Sequence, residues 1–306
     1  MLFDLQSIIN SRFGIGSGLV LGRILPESLG YRLAGRVASL IAAQKRSAMV
    51  RAVRANQWVI HGSDLRSDEL NRVVKAVFTN TAGCLFDFYH SLNNPSEVEK
   101  RIHFCPSSKA LFDNPGQKEK GVVIVGVHLS NFDLVAREAA RQGLKAMMLA
   151  YATPGKGYQW QNEIRRRAGL DLVPASSQAI RQAIRKLRTG GNVLTGIDRP
   201  LEDVKYRPVF FGRPANLPVH HIHLALAADT CVYVACAIKR ADGIYQIRVS
   251  EPIQMQRNSD RDEEILLNAE KVLKVAEGMI RQAPEQWSMF FPVWPDVLPP
   301  LLKNHA

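Results

Sequence analysis

Apolar residues recur every three or four positions through the first third of the chain. Leu33, Val37, Leu40 and Ile41 do so, and again Leu70, Val73, Val74 and Val77. This is the spacing of one helix face, so residues 1–110 read as a helical region. Residues 113–120 (DNPGQKEK) are a polar loop. The pattern then changes. Residues 121–127 (GVVIVGV) form a continuous run rich in β-branched side chains, which predicts a buried strand. A helix over 131–142, closed by Gly143, is expected next. It is followed by a strand over 145–151, a helix over 160–168 and a strand over 170–173. A basic helix over 177–187 and a strand over 192–197 complete this part. Strands alternating with helices at this spacing predict βαβ units. The expected class is therefore α/β, a mostly parallel central sheet flanked by helices. The helical region 1–110 and the core 111–306 are expected to form one continuous domain. Further along, a strand over 209–211, a helix over 219–228, strands over 232–238 and 245–249, and a long helix over 262–281 are expected.

Composition changes the picture only through charge. A hydrophobic fraction of 46% with 22% charged residues is globular and leaves no long segment to disorder. The net charge of +12 points to anionic partners. Two stretches concentrate it. Residues 1–54 carry eight Lys/Arg against Asp4 and Glu27, and residues 156–188 carry eight against Glu163 and Asp171. Neither stretch interleaves stacking aromatics, so nucleic acid is not expected. Cys84, Cys105, Cys231 and Cys236 lack metal-site or redox spacing and read as free thiols in a reducing compartment. The apolar run over 13–22, bracketed by Arg12 and Arg23, is half the length of the roughly 20 residues that a membrane span needs. Asp4 stands where a signal peptide would be basic. The segment 2–25 is instead expected to lie in a membrane interface as an amphipathic helix, or to pack on the domain.

The segment His128-Leu129-Ser130-Asn131-Phe132-Asp133 falls at a strand-to-helix junction. Ligands of open α/β sheets bind beyond the carboxyl ends of strands. Positions five apart differ by about 140° around a continuous helix. His128 and Asp133 therefore meet only if His128 is in the loop and Asp133 in the first helical turn. Ser130 suits the N-cap of such a helix, with Asp133 three residues on. A plain capping box with a loop histidine is the bland alternative.

The blocks GVVIVGVHLSNFD, IRRRAGLDLVP, VLTGIDRP, VFFGRPANLP and PEQW follow one another in this order. Together they resemble the bacterial lipid A biosynthesis acyltransferase family, within the lysophospholipid acyltransferase superfamily. They resemble the phosphatidylinositol mannoside acyltransferases as well. The resemblance runs over roughly residues 30–295. It implies transfer of a fatty acyl group from a thioester, acyl-CoA or acyl carrier protein, to a hydroxyl of a membrane lipid. No cofactor beyond that co-substrate is implied. It also implies that His128 is the general base and Asp133 its partner. Imidazole titrates near neutrality and suits removal of the hydroxyl proton. Candidate substrate contacts are Ser130, Asn131, Arg166, Asp198 and Arg213. Arg166 and Arg213 would meet phosphate, and Asp198 lies on the same sheet edge as His128. The expected setting is an anionic membrane surface, at the cytoplasmic face of the inner membrane.

Two features depart from the family pattern. Residues 219–223 (VHHIH) replace small residues, and SMFFPVWP replaces a basic ending. His220, His221 and His223, at i, i+1 and i+3, cannot all face one ion on a regular helix, so no metal site is expected. A non-catalytic membrane-binding protein that kept the fold is the rival reading.

Overall fold

The computed structural model describes residues 12–298, apart from 93–95, 97–99, 113–119, 151–155 and 168. Residues 2–11 of the expected interfacial segment, and most of the polar loop, lie outside the described residues. Four helices come first: α1 (Arg12–Ile24), α2 (Glu27–Ala42), α3 (Ala48–Ile60) and α4 (Ser67–Ser91). The all-helical expectation for 1–110 needs one correction. Residues Ile102–Phe104 form strand β1, which pairs in parallel with β9 (Tyr245–Val249). Three residues are too few to show a period, so only this distant partner defines them. The short helix α5 (Lys109–Phe112) follows.

The core alternates as expected. It comprises β2 (Val123–Gly126), α6 (Phe132–Arg141), β3 (Ala146–Ala150), α7 (Lys156–Arg167), β4 (Asp171–Pro174), α8 (Ser177–Arg188) and β5 (Asn192–Gly196). A small hairpin, β6 (Val209–Phe210) with β7 (Arg213–Pro214), leads to α9 (His220–Ala228), β8 (Val232–Lys239), β9 and α10 (Arg261–Ile280). The seven-stranded sheet has the order β1-β9-β8-β2-β5-β3-β4. Its pairs are parallel except β8 with β9.

Alternation along the strands sorts side chains into two cores. Val123, Val125, Val193 and Val234 face one layer, which takes in α8, α9, α10 and the inner faces of α2, α3 and α4. Ile124, Tyr245 and Ile247 face the other, with Leu134 of α6 and Phe88 of α4. Helix α4 thus reaches both faces at one end of the sheet, beside the loop that follows β2.

Candidate active site

Strands β2 and β5 are neighbours, with Gly126 opposite Gly196. Two residues beyond each glycine stand His128 and Asp198, so the register delivers them side by side at the carboxyl edge. His128 Nδ1 lies 2.6 Å from Asp198 Oδ1, and the His128 amide donates to Asp198 Oδ2 at 2.8 Å. The Trp287 indole donates to the same oxygen at 2.8 Å. Asp198 is fully buried. Burial would raise its carboxyl, but the His128 charge and the hydrogen bonds from the His128 ring, the Trp287 indole and the His128 amide outweigh it. They hold it below the usual carboxylate range. A carboxylate on Nδ1 fixes the imidazole with its other nitrogen, Nε2, as the proton acceptor.

The ring is confined on two further sides. The Phe132 ring meets it edge-on, with centroids 4.6 Å apart. A Cβ on Gly196 would lie 3.2 Å from its Cε1, so the absence of a side chain there makes room for the imidazole.

The backbone of the His128 loop is held by the 284–288 segment. Ser288 N donates to His128 O at 2.9 Å, Ser130 N donates to Gln286 O at 2.8 Å, and Leu129 bridges Trp287. That segment is in turn anchored to the N-terminal helices. Gln57 Nε2 donates to Pro284 O at 2.8 Å and Asn80 Nδ2 to Glu285 O at 3.1 Å. PEQW is therefore a clamp on the histidine loop.

The structure corrects two expectations here. The carboxylate hydrogen-bonded to the His128 ring is that of Asp198 and not Asp133, whose carboxylate takes a two-pronged bond from Arg165, Nε to Oδ1 at 2.7 Å and Nη2 to Oδ2 at 2.9 Å. Ser130 is not the N-cap. It sits in the left-handed region at φ 55°, and Asn131 caps α6 by accepting from Leu134 N at 3.3 Å. The extra turn at Ser130 shifts the helix start by one residue. It leaves His128 facing the end of β5 and Asp133 facing α7.

The other candidates are scattered. Ser130 and Asn131 are buried and bonded inward, Ser130 Oγ 3.8 Å from Cys84 Sγ and Asn131 Nδ2 donating to Cys84 O at 2.8 Å. Arg166 is exposed and paired with Glu163 at 3.8 Å, while its neighbour Arg165 reaches the site. Arg213, in β7, donates to Ser63 Oγ at 3.5 Å and lies over the Trp58 ring, away from His128.

His128, Asp133 and Arg165 line a cavity of about 410 Å³, within the range of small-molecule sites. It runs between α6 and the sheet. Phe132, Val135 and Ala136 form one wall, and Ile124, Met148, Leu194 and Ile247 the other. The wall is mostly apolar. Its polar members include Ser108, Asn162, Thr195, Arg199 and His220. His220 Nε2 lies 2.7 Å from Thr195 Oγ1. Burial, aided by the charge of His223, pushes this imidazole down to about 4. His221 is buried in the core, and His223 packs near the Tyr206 ring, 6.1 Å between centroids. No group of three His, Cys, Asp or Glu among the described residues is placed to hold a metal ion.

Trp287 and Arg165 had no assigned role in the sequence. The signal for Asp198 was present: GVH closes one strand and GID another, with equal spacing from glycine to polar residue.

A search among curated proteins finds no match. The family model described as bacterial lipid A biosynthesis acyltransferase matches residues 4–295. With nearly the whole chain matched, the protein belongs to the bacterial lipid A biosynthesis acyltransferase family.

Proposed function

We propose that this chain transfers a fatty acyl group from a thioester, acyl-CoA or acyl carrier protein, to a hydroxyl of a membrane glycolipid. The observation that carries the reading is the Asp198-oriented His128 in the wall of a largely apolar cavity. The cavity suits a hydrocarbon chain, and its apolar wall would hold the thioester carbonyl near His128 by burying the tail.

The acceptor hydroxyl attacks the thioester carbon while His128 Nε2 takes its proton. The tetrahedral intermediate collapses with cleavage of the C–S bond, and the proton passes from His128 to the departing thiolate. Asp198 stabilises the imidazolium in between. Acyl transfer is direct, with no acyl-enzyme. The N-terminus of α6, beside His128, supplies its positive end to the developing oxyanion. Arg165, fixed by Asp133, is placed to meet a phosphate of donor or acceptor. Both thioester donors are cytoplasmic, so the reaction belongs at the cytoplasmic face of the inner membrane.

The test is mass spectrometry of membrane lipids from cells with the chain, without it, and with His128→Ala. A species heavier by one acyl chain should depend on the intact histidine. An unchanged lipid profile, together with no thioester consumption by the purified protein on those lipids, would overturn the reading.

A further inference from the structure

Two polar side chains meet in the mostly apolar wall of the cavity. Thr195 lies on β5, with Val125 opposite it on β2 and Val193 two residues before it on the same face. Valine would fill this position with nearly the same shape, so the hydroxyl is what threonine adds. His220 opens α9 and reaches across to it, with Nε2 2.7 Å from Thr195 Oγ1. Thr195 is buried, and both residues line the cavity together with Leu194, Leu201 and Pro218.

One hydrogen bond does not satisfy the pair. A neutral imidazole has one donor and one acceptor, and a hydroxyl has one donor and two acceptor sites. The contact uses one donor and one acceptor, whichever atom donates. A donor and an acceptor are left over, and among the described residues neither side chain has a further hydrogen-bond partner. The imidazole is uncharged at neutral pH, because burial and the charge of His223 push it down to about 4. An uncharged pair has no charge to set against a buried carboxylate or phosphate. A donor and an acceptor side by side match a hydroxyl, which is both.

We infer that Thr195 and His220 form a subsite for a hydroxyl carried by the acyl chain, so that the enzyme selects a hydroxylated fatty acyl donor over a plain one. The inference rests on the reading of the cavity as the seat of the acyl tail. A chain hydroxyl that enters an apolar cavity loses its hydrogen bonds to water and must find others. Here it both donates and accepts. A plain chain leaves the pair unmet. A site built to bond a hydroxyl rejects the analogue that lacks it more strongly than an apolar pocket rejects by size. Thr195 directly precedes Gly196, which packs on the His128 ring. The subsite therefore serves carbons near the thioester and not the end of the tail.

The experiment measures equilibrium binding of free fatty acids to the purified full chain, by displacement of a fluorescent fatty acid. A plain acid is compared with isomers of the same length that carry a hydroxyl at successive carbons. Isomers hydroxylated near the carboxyl end should bind about tenfold tighter than the plain acid, and those hydroxylated at the far end more weakly than it. Thr195→Val and His220→Leu should each abolish that gain. His220→Gln keeps a donor and an acceptor, so it should retain part of the gain, which a variant that merely disturbed the fold would not. A wild type that binds no hydroxylated isomer tighter than the plain acid overturns the inference. So does a gain that survives both Thr195→Val and His220→Leu. Failure of plain and hydroxylated acids alike to bind would overturn it together with the reading of the cavity, whereas a missing hydroxyl preference alone leaves that reading standing.

Discussion

His128 and Asp198 face each other at 2.6 Å although seventy residues separate them. Parallel pairing of β2 with β5 makes this contact at the end of the sheet, where His128 lines the cavity and Asp198 is buried behind it. Asp198→Asn keeps the volume but offers one acceptor oxygen for the His128 amide and the Trp287 indole, and an NH₂ group toward Nδ1. The tautomer that leaves Nε2 as acceptor is then lost. Turnover should fall about 10³–10⁴-fold, as expected for a wrongly oriented imidazole. Adding His128→Ala should cost little more, because the two act as one unit. A fully additive double variant would separate their roles.

Asp133 and Arg165 form a second unit. Asp133→Asn leaves α6 capped, since Asn131 holds that position. It removes a charge-assisted, two-pronged bond, so stability should drop by roughly 1.5–3 kcal/mol. Arg165→Gln should cost a similar amount, and the double variant no more than either alone. Urea unfolding of the four proteins measures this. Coupling of Asp133 to Asp198 in turnover, with none to Arg165, would restore the short-range motif as the working pair.

The contrast between these pairs marks what the sequence could carry. Apolar runs and helix periodicity located β2, α6, β3, β5 and α10 within a few residues, because each is long enough to show its run or its face. Strand β1 was invisible because only β9 makes it a strand. His128 was legible as a loop residue at a strand end. The carboxylate bonded to it was not, because a motif counts residues along the chain, whereas Asp198 arrives from the neighbouring strand. The left-handed turn at Ser130, which decides the matter, has no glycine to announce it. Leu33, Val37 and Leu40 show the same limit: periodicity finds an apolar helix face without saying what covers it, and these three are exposed.

The histidines at the start of α9 set an acid limit on folding. His220 is pushed down to about 4, and His221, buried among apolar neighbours, is driven well below the usual histidine value. In the unfolded chain both titrate near 6.5. As pH falls through 6.5 the unfolded state binds protons that the folded state refuses, so stability declines from there toward pH 4. His220→Gln with His221→Leu should flatten this part of a plot of melting temperature against pH. An identical acid slope in wild type and variant would count against the buried neutral pair.

The cavity should act on the length of the acyl chain. Ala136 lines it from α6, one helical turn beyond Phe132, whose ring touches His128. Ala136→Phe projects a ring into open space and not into packed core, so folding should survive. The wall beyond this point is apolar, and the chain segment that reaches it is the distal part of the acyl tail. A blocked cavity therefore leaves a short acyl group fully seated and forces a long one to fold back or remain in water. Each methylene kept out of the cavity forfeits about 0.8 kcal/mol, so two or three cost roughly tenfold to a hundredfold. Competition between short and long acyl thioesters in one reaction measures the ratio of kcat/KM directly. Ala136→Phe should shift that ratio toward the short donor by at least tenfold while leaving the short donor's own rate near wild type. An equal loss on both donors would mean that the ring disturbs His128 and not the tail. An unchanged ratio with full activity would place the acyl chain somewhere other than this cavity.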